Sequence, residues 1–206
     1  MTSLALRRLT SLATVLVAVS LAPAPAQAAL ERVGPNDPVT TLPLYFQDTT
    51  GITFELATVL DRQKKFAESE ALFRQLLSKE PDNAPALNYL GYMLAERGER
   101  LDESVDYIKR ALALDPDNGS YLDSIGWAYY KDGKFDMALE HLQRAAQMLT
   151  TNSVVQDHYA DVLFRLGRYD DAIAAWTKAL SGDLDSIDRG DIDKKIRNAK
   201  QKLTRK

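Results

Sequence analysis

The stretch that decides the fold is residues 122–145, LDSIGWAYYKDGKFDMALEHLQRA. Its first half is helical in pattern, yet Gly126 sits in the middle of it, where glycine costs about 1 kcal/mol relative to alanine. Trp127, Tyr129, Tyr130 and Phe135 crowd around that glycine, Gly133 follows seven residues on, and small residues return at Ala138 and Ala145. A helix that gives up its side chain at one point, with rings on either side, needs a close neighbour at that point.

Outward from Gly126 the pattern repeats. Aligning the small mid-helix residues gives Ala57, Gly91, Gly126 and Ala160, at spacings of 34, 35 and 34 residues. The extra residue lies in the second unit's turn, where Gly98-Glu99-Arg100-Leu101-Asp102 is one longer than Gly133-Lys134-Phe135-Asp136. A large residue precedes each small one (Leu56, Leu90, Ile125, Tyr159) and another follows it by three (Leu60, Leu94, Tyr129, Leu163). Turn glycines come seven later at Gly98, Gly133 and Gly167, with Lys64 in that place in the first unit. Ser69, Ser104, Ala138 and Ala172 open the next helix, each followed four later by Phe73, Ile108, Leu142 or Trp176. Pro81 and Pro116 close the first two units in Glu-Pro-Asp-Asn and Asp-Pro-Asp-Asn turns. Self-similarity at this period is the mark of a helical repeat array.

With these residues aligned, the sequence resembles the tetratricopeptide repeat family over four units, 50–83, 84–118, 119–152 and 153–186. The segments LNYLGYMLAERG and DPDNGSYLDSIGWAYY look most like the exported bacterial members. The resemblance implies an all-α fold, a right-handed superhelical array of helix-turn-helix repeats with a C-terminal capping helix. In such an array Gly126 and Ala138 are the two sides of a helix crossing, Tyr129 and Leu142 fill the space beside it, and Ala145 lets the next unit's first helix dock. Gly133 suits a left-handed cap, and Gly119 is expected to lie in an open turn. Ser153, with Gln156 three later, reads as a capping box for the fourth unit.

The first 28 residues read as a secretory signal peptide: Arg7 and Arg8, an uncharged run from Leu9 to Ala22, then Ala26-Gln27-Ala28 as a small-x-small cleavage site. An uncleaved anchor is the competing reading. Cleavage gives a mature chain starting at Ala29 in the periplasm or outside the cell. Loss of the two arginines takes the net charge from −3 to −5. Residues 29–49, with Pro35, Pro38 and Pro43 and little apolar periodicity, read as a linker.

The chain has no cysteine, which excludes disulfides, zinc-thiolate sites and cysteine nucleophiles, and only two histidines, His141 and His158. Both histidines read as partly exposed helix residues outside any known nucleophile or metal motif. Asp115-Pro116-Asp117-Asn118-Gly119 starts like a calcium loop, but its twelfth position is Gly126 where a glutamate is needed. No phosphate-cradling glycine loop or Gly-x-Ser-x-Gly elbow occurs. No enzyme, no cofactor and no metal site are therefore expected. Residues 187–206 place Ile192, Ile196, Ala199 and Leu203 on one helical face amid lysines and arginines. This segment reads as the helix that covers the open end of the stack; a basic arm for anionic lipid or nucleic acid is the alternative. The acidic mature charge disfavours nucleic acid, and no stable membrane insertion is expected after signal cleavage.

What remains is a surface. A second stripe on the first helices lines the concave groove in this family, where extended peptides or partner helices bind. Carried over unit by unit, it comprises Phe54, Thr58 and Asp61; Asn88, Tyr92 and Ala95; Asp123, Trp127 and Tyr130; and Asp157, Asp161 and Phe164. The partner-binding set is Phe54, Asn88, Tyr92, Asp123, Trp127, Tyr130, Asp157, Asp161 and Phe164. The lysines and asparagines that would grip a peptide's terminal carboxylate are missing, apart from Asn88. An aromatic, acidic groove suits an apolar segment with basic residues. Packing of rings such as Trp127 against the neighbouring unit is the structural alternative. The expected function is a non-enzymatic protein-binding scaffold or adaptor; a self-associating structural module is the other class.

Overall fold

The computed structural model describes residues 49–183 and 187–204. The signal peptide expected over 1–28 and all of the linker but its last residue lie outside the described residues. Among the described residues there are nine helices and no strand. They are α1 (Thr49–Arg62), α2 (Phe66–Lys79), α3 (Ala84–Arg97), α4 (Leu101–Leu114), α5 (Gly119–Lys131), α6 (Phe135–Met148), α7 (Ser153–Arg165), α8 (Tyr169–Ala179) and α9 (Arg189–Thr204). Consecutive helices pair into four helix-turn-helix units, and α9 packs on α8. The protein is all-α, an array of stacked helical hairpins.

The turns explain the alignment. Gly98, Gly133 and Gly167 have φ of 66°, 77° and 75°, the left-handed conformation that glycine adopts without steric cost. Lys64 takes the same conformation at φ 61° in the first unit, and Arg100, at φ 45°, absorbs the additional residue of the second turn. The starts of α3, α5 and α7 are capped by asparagines. Asn83 Oδ1 accepts from Ala86 N at 3.0 Å, Asn118 Oδ1 from Ser120 N and Tyr121 N at 3.1 and 3.3 Å, and Asn152 Oδ1 from Val155 N at 3.1 Å. The capping box expected at Ser153 and Gln156 is therefore displaced by one residue. Asn152 is the cap, which frees Ser153 Oγ to donate to Ala179 O at 2.7 Å and Gln156 Nε2 to donate to Ala146 O at 2.8 Å.

Within each hairpin the small residue faces a large one. An added Cβ on Gly126 would stand 2.5 Å from Leu142 Cγ and 3.1 Å from Leu142 N, and one on Gly91 would stand 2.5 Å from Ile108 Cγ1 and 2.9 Å from Ser104 O. The nearest atoms across the crossing are those of Leu142, and Ala138 beside it is fully buried. In the first two units the serine at the Ala138 position ties the crossing: Ser69 Oγ donates to Ala57 O at 2.8 Å and Ser104 Oγ to Gly91 O at 2.6 Å. Gly119 is not open either. Its added Cβ would come 2.9 Å from Leu149 Cγ, because α5 begins against the end of α6.

The core runs from unit to unit through Phe73, Leu87 and Leu90, then Ile108, Ile125 and Leu142, then Leu163, Trp176 and Ile192, all fully buried or nearly so. Polar ties flank it on the outer side. Glu70 accepts from Arg74 at 2.9 Å and from Arg100 at 2.6 Å, and Arg74 also reaches Glu103 at 2.7 Å, which links the first two units.

Candidate functional site: the face of the first helices

The stripe residues stand on α1, α3, α5 and α7, and α3, α5 and α7 pack side by side. At the N-terminal end, Phe54 is half-buried and edge-on to Phe73 at 5.5 Å and to Tyr89 at 5.9 Å. Tyr89 Oη donates to Asp61 Oδ2 at 3.1 Å. Burial and the neighbouring Asp61 carboxylate push the Tyr89 phenol up to about 12.

The centre is more closed than the stripe implies. Trp127 is only 8% exposed. Its ring stacks on His158 at 3.9 Å and on Tyr130 at 4.8 Å, and its Nε1 donates to Glu96 at 2.6 Å. His158, expected to be partly exposed, is buried, and its Nδ1 lies 3.1 Å from both oxygens of Asp123, itself 6% exposed. Burial pushes the imidazole down, but Asp123 first, then Asp157 and Asp161, outweigh it and hold the ring above the ordinary histidine value. Tyr92, half-buried, lies 6.4 Å from the His158 ring, and its phenol is pushed up by burial and by Glu96 and Asp123. The arrangement is a packed stack with an ion pair at its floor. Trp127 covers one face of the imidazole and the ring is buried, so the geometry is that of a structural pair and not of an open acid–base dyad.

At the C-terminal end Asp157 and Asp161 share two donors. Trp176 Nε1 reaches Asp157 Oδ1 at 2.9 Å and Asp161 Oδ1 at 3.2 Å. Lys195 Nζ on α9 donates to Asp157 Oδ1 and Oδ2 at 2.9 and 3.1 Å and to Asp161 Oδ2 at 3.0 Å. Burial and the adjacent Asp157 raise the Asp161 carboxyl, and Lys195 offsets part of that rise. Phe164 packs on Trp176 at 5.7 Å and on Tyr169 at 5.3 Å.

The expected stripe therefore divides. Asp123, Asp157 and Asp161, read from sequence as fixing a partner's basic groups, already engage groups of this chain, His158 and Lys195, and Trp127 belongs to a core cluster with Ile125, Ala128 and Val162. The open part lies between α3, α5 and α7. A cavity of about 180 Å³ there is lined by Asn88, Tyr89 and Tyr92, by Ser120, Asp123 and Ser124, and by Asn152, Val154 and Val155. Asn88 Oδ1 is buried in this region with no hydrogen-bond partner. A larger opening of about 490 Å³ between α6, α7 and α8, among Gln143, Gln147, Gln156 and Lys178, holds none of the stripe residues. Ser120, Ser124 and Asn152 were outside the stripe. The sequence signal for Ser120 and Asn152 is their position at the starts of first helices, and Ser124 lies one turn beyond Ser120 on the same face.

Among the described residues no three His, Asp or Glu side chains are grouped to hold a metal, and no helix is long and apolar enough to cross a membrane.

Comparison with known proteins fits this architecture. Family models described as "Tetratricopeptide repeat" match residues 54–119 and 119–153. The chain is 35% identical over 109 residues to the "TPR repeat-containing protein PA4667" of Pseudomonas aeruginosa; the match covers 53% of this chain and 18% of that one, so the chain spans less than a fifth of the relative. Solved structures of MamA superpose with TM-scores of 0.59 and 0.59 at 21% and 20% identity, over 76% and 75% of this chain and 83% and 87% of theirs. That likeness is one of fold. The hairpin units, their left-handed turn glycines, the glycine crossings and these matches lead to one conclusion: the chain belongs to the tetratricopeptide repeat family.

Proposed function

We propose that the protein is a non-enzymatic scaffold that binds an extended segment of a partner protein across α3, α5 and α7. The observation that carries this reading is the Asn88 carboxamide, whose Oδ1 is buried without a partner beside a cavity walled by two tyrosines. A buried acceptor left unpaired costs about 1–3 kcal/mol. A carboxamide offers one acceptor and a donor group, and each peptide unit of an extended chain supplies the complementary pair. Tyr89 and Tyr92 provide the rigid amphipathic rings on which binding energy tends to concentrate. Proteins of this repeat family generally bind protein partners, which agrees with such a site.

While α9 is in place, Asp123, Asp157 and Asp161 are engaged internally and contribute to the field that a basic segment meets rather than to direct contacts. The proposal includes export to the periplasm or beyond, supported by the Arg7-Arg8 start, the apolar run and the Ala26-Gln27-Ala28 site.

Crosslinking capture from the native envelope, followed by affinity measurement with the captured protein, tests the site. Asn88→Ala and Tyr92→Ala should each weaken binding by about tenfold or more, equivalent to about 1.4 kcal/mol, with unchanged melting temperature for Asn88→Ala. Undiminished affinity in both variants would place the interface elsewhere. The second reading, self-association, draws on Leu56 and Val59, which are 49% and 43% exposed on α1. Light scattering on the mature chain separates the two, since a monomer rules out the second.

A further inference from the structure

We propose that α9 is an intramolecular latch: it occupies the C-terminal end of the binding face through Lys195 and yields that place to a lysine-bearing amphipathic helix of a partner. The inference rests on the reading of the first-helix face as a binding surface and concerns how that surface is regulated.

Asp157 and Asp161 lie one helical turn apart on α7 and point their carboxylates at the same spot, so their charges repel unless a cation sits between them. Lys195 supplies that cation and directs ammonium donors to three carboxylate oxygens at 2.9–3.1 Å. The seat is largely shielded from solvent, and Trp176 Nε1 donates to both aspartates from the other side. The ammonium is held above its ordinary value because the two carboxylates outweigh its burial.

The remainder of the helix is weakly attached. Of the sixteen residues of α9 only Ile192 and Ala199 are buried, whereas α7, three residues shorter, buries seven. Ile192, Ala199 and the half-buried Ile196, with one cationic peg, hold the helix, and segments with few buried contacts open at low free-energy cost. When α9 leaves, it exposes two carboxylates without a counter-ion and an apolar patch at Trp176. The complement of that surface is a helix with a lysine flanked by small or branched apolar residues three positions before and four after it, as Ile192 and Ala199 flank Lys195. Tethering gives the resident helix an effective concentration on the order of millimolar, so a competitor enters only when its own contacts exceed those of α9 or when the peg is removed.

The test uses the full mature chain and a fluorescently labelled peptide with the sequence of residues 187–206, followed by fluorescence anisotropy. The wild-type chain should take up the peptide weakly. Lys195→Met, which keeps the stem and removes the ammonium, should bind it at least about tenfold more tightly, because the peptide retains the lysine that the resident helix has lost. Asp157→Asn added to Lys195→Met should reverse that gain. Hydrogen exchange should show faster exchange in α9 of Lys195→Met with α5 unchanged. Equal uptake by wild type and Lys195→Met, or unchanged exchange in α9, overturns the latch. If Asn88→Ala and Tyr92→Ala lose the captured partner in that case, the binding-face reading stands without the latch. If those variants keep the partner while Lys195→Met gains peptide, the acidic seat under α9 is the binding surface and the Asn88–Tyr92 part of the reading falls.

Discussion

His158 Nδ1 sits 3.1 Å from both oxygens of Asp123, 35 residues earlier and one unit away, beneath the indole of Trp127. The pair joins the third and fourth units at the middle of the first-helix face. Its charge state couples the stability of that seam to pH.

The folded imidazole titrates above 6.5 because Asp123, helped by Asp157 and Asp161, outweighs burial. A raised pKa means that the pair's contribution is complete below 6.5 and is lost as pH rises through the folded value. His141, which burial pushes down, acts with the opposite sign and only on the acid side of 6.5. The melting temperature should therefore fall as pH rises from roughly 6 to 9, and His158→Gln should flatten the fall. A wild-type curve without that slope would sink the argument. Asp123→Ala should cost about 1–3 kcal/mol, because it leaves the buried imidazole without its hydrogen-bond partner.

Glycine substitutions should split by position. At Gly126 an added Cβ meets Leu142 Cγ at 2.5 Å and the Leu142 backbone nitrogen at 3.1 Å, so Gly126→Ala should destabilise by about 1–3 kcal/mol despite better helix propensity. Gly51 has nothing within 4 Å of its added Cβ, and Gly51→Ala should stabilise by about 0.5 kcal/mol. Denaturant midpoints of the two variants check this. Shifts of the same sign would mean that the crossing is looser than its distances indicate.

Trp127→Ala should lower stability by about 3–5 kcal/mol, as truncation of a buried aromatic does, whereas Trp127→Phe retains the stack and loses the bond to Glu96. The same calorimetric scan separates them. A Trp127→Ala variant that melts with the wild type would return this ring to the partner's side of the surface.

Export predicts a mature chain that begins at Ala29, directly after Ala26-Gln27-Ala28. Intact mass of protein recovered from the periplasmic fraction decides it; a chain retaining Met1 would be anchored instead.

The sequence made the hairpins legible because each unit's register is local: Gly98, Gly133 and Gly167 mark turns whatever surrounds them. Faces were legible too, since a stripe follows from helical spacing alone. What covers a face was not. Trp127 meets Glu96 at a separation of 31 residues, Asp123 meets His158 at 35 and Asp157 meets Lys195 at 38. Such pairs depend on how far one unit is rotated against the next, and periodicity does not encode that rotation. Gly119 and Ser153 were misread for a related reason: each abuts the far end of the second helix of its own hairpin, at Leu149 and Ala179, and the closeness of that approach depends on how the two helices cross.

Repeat arrays are usually thought of as interchangeable modules, yet the junction before α7 is keyed. Gln156 Nε2 fills the carbonyls of Ala146 and Leu149 at 2.8 and 3.3 Å, and Asp183 N donates back to Thr151 O at 3.0 Å. Excising the third unit and splicing the second to the fourth would leave Gln156 facing the backbone of α4 and would set His158 opposite Asn88 in place of Asp123. The fourth unit is thus matched to the third through the Asp123–His158 pair, which a neighbour carrying Asn88 in that place would not supply as a carboxylate.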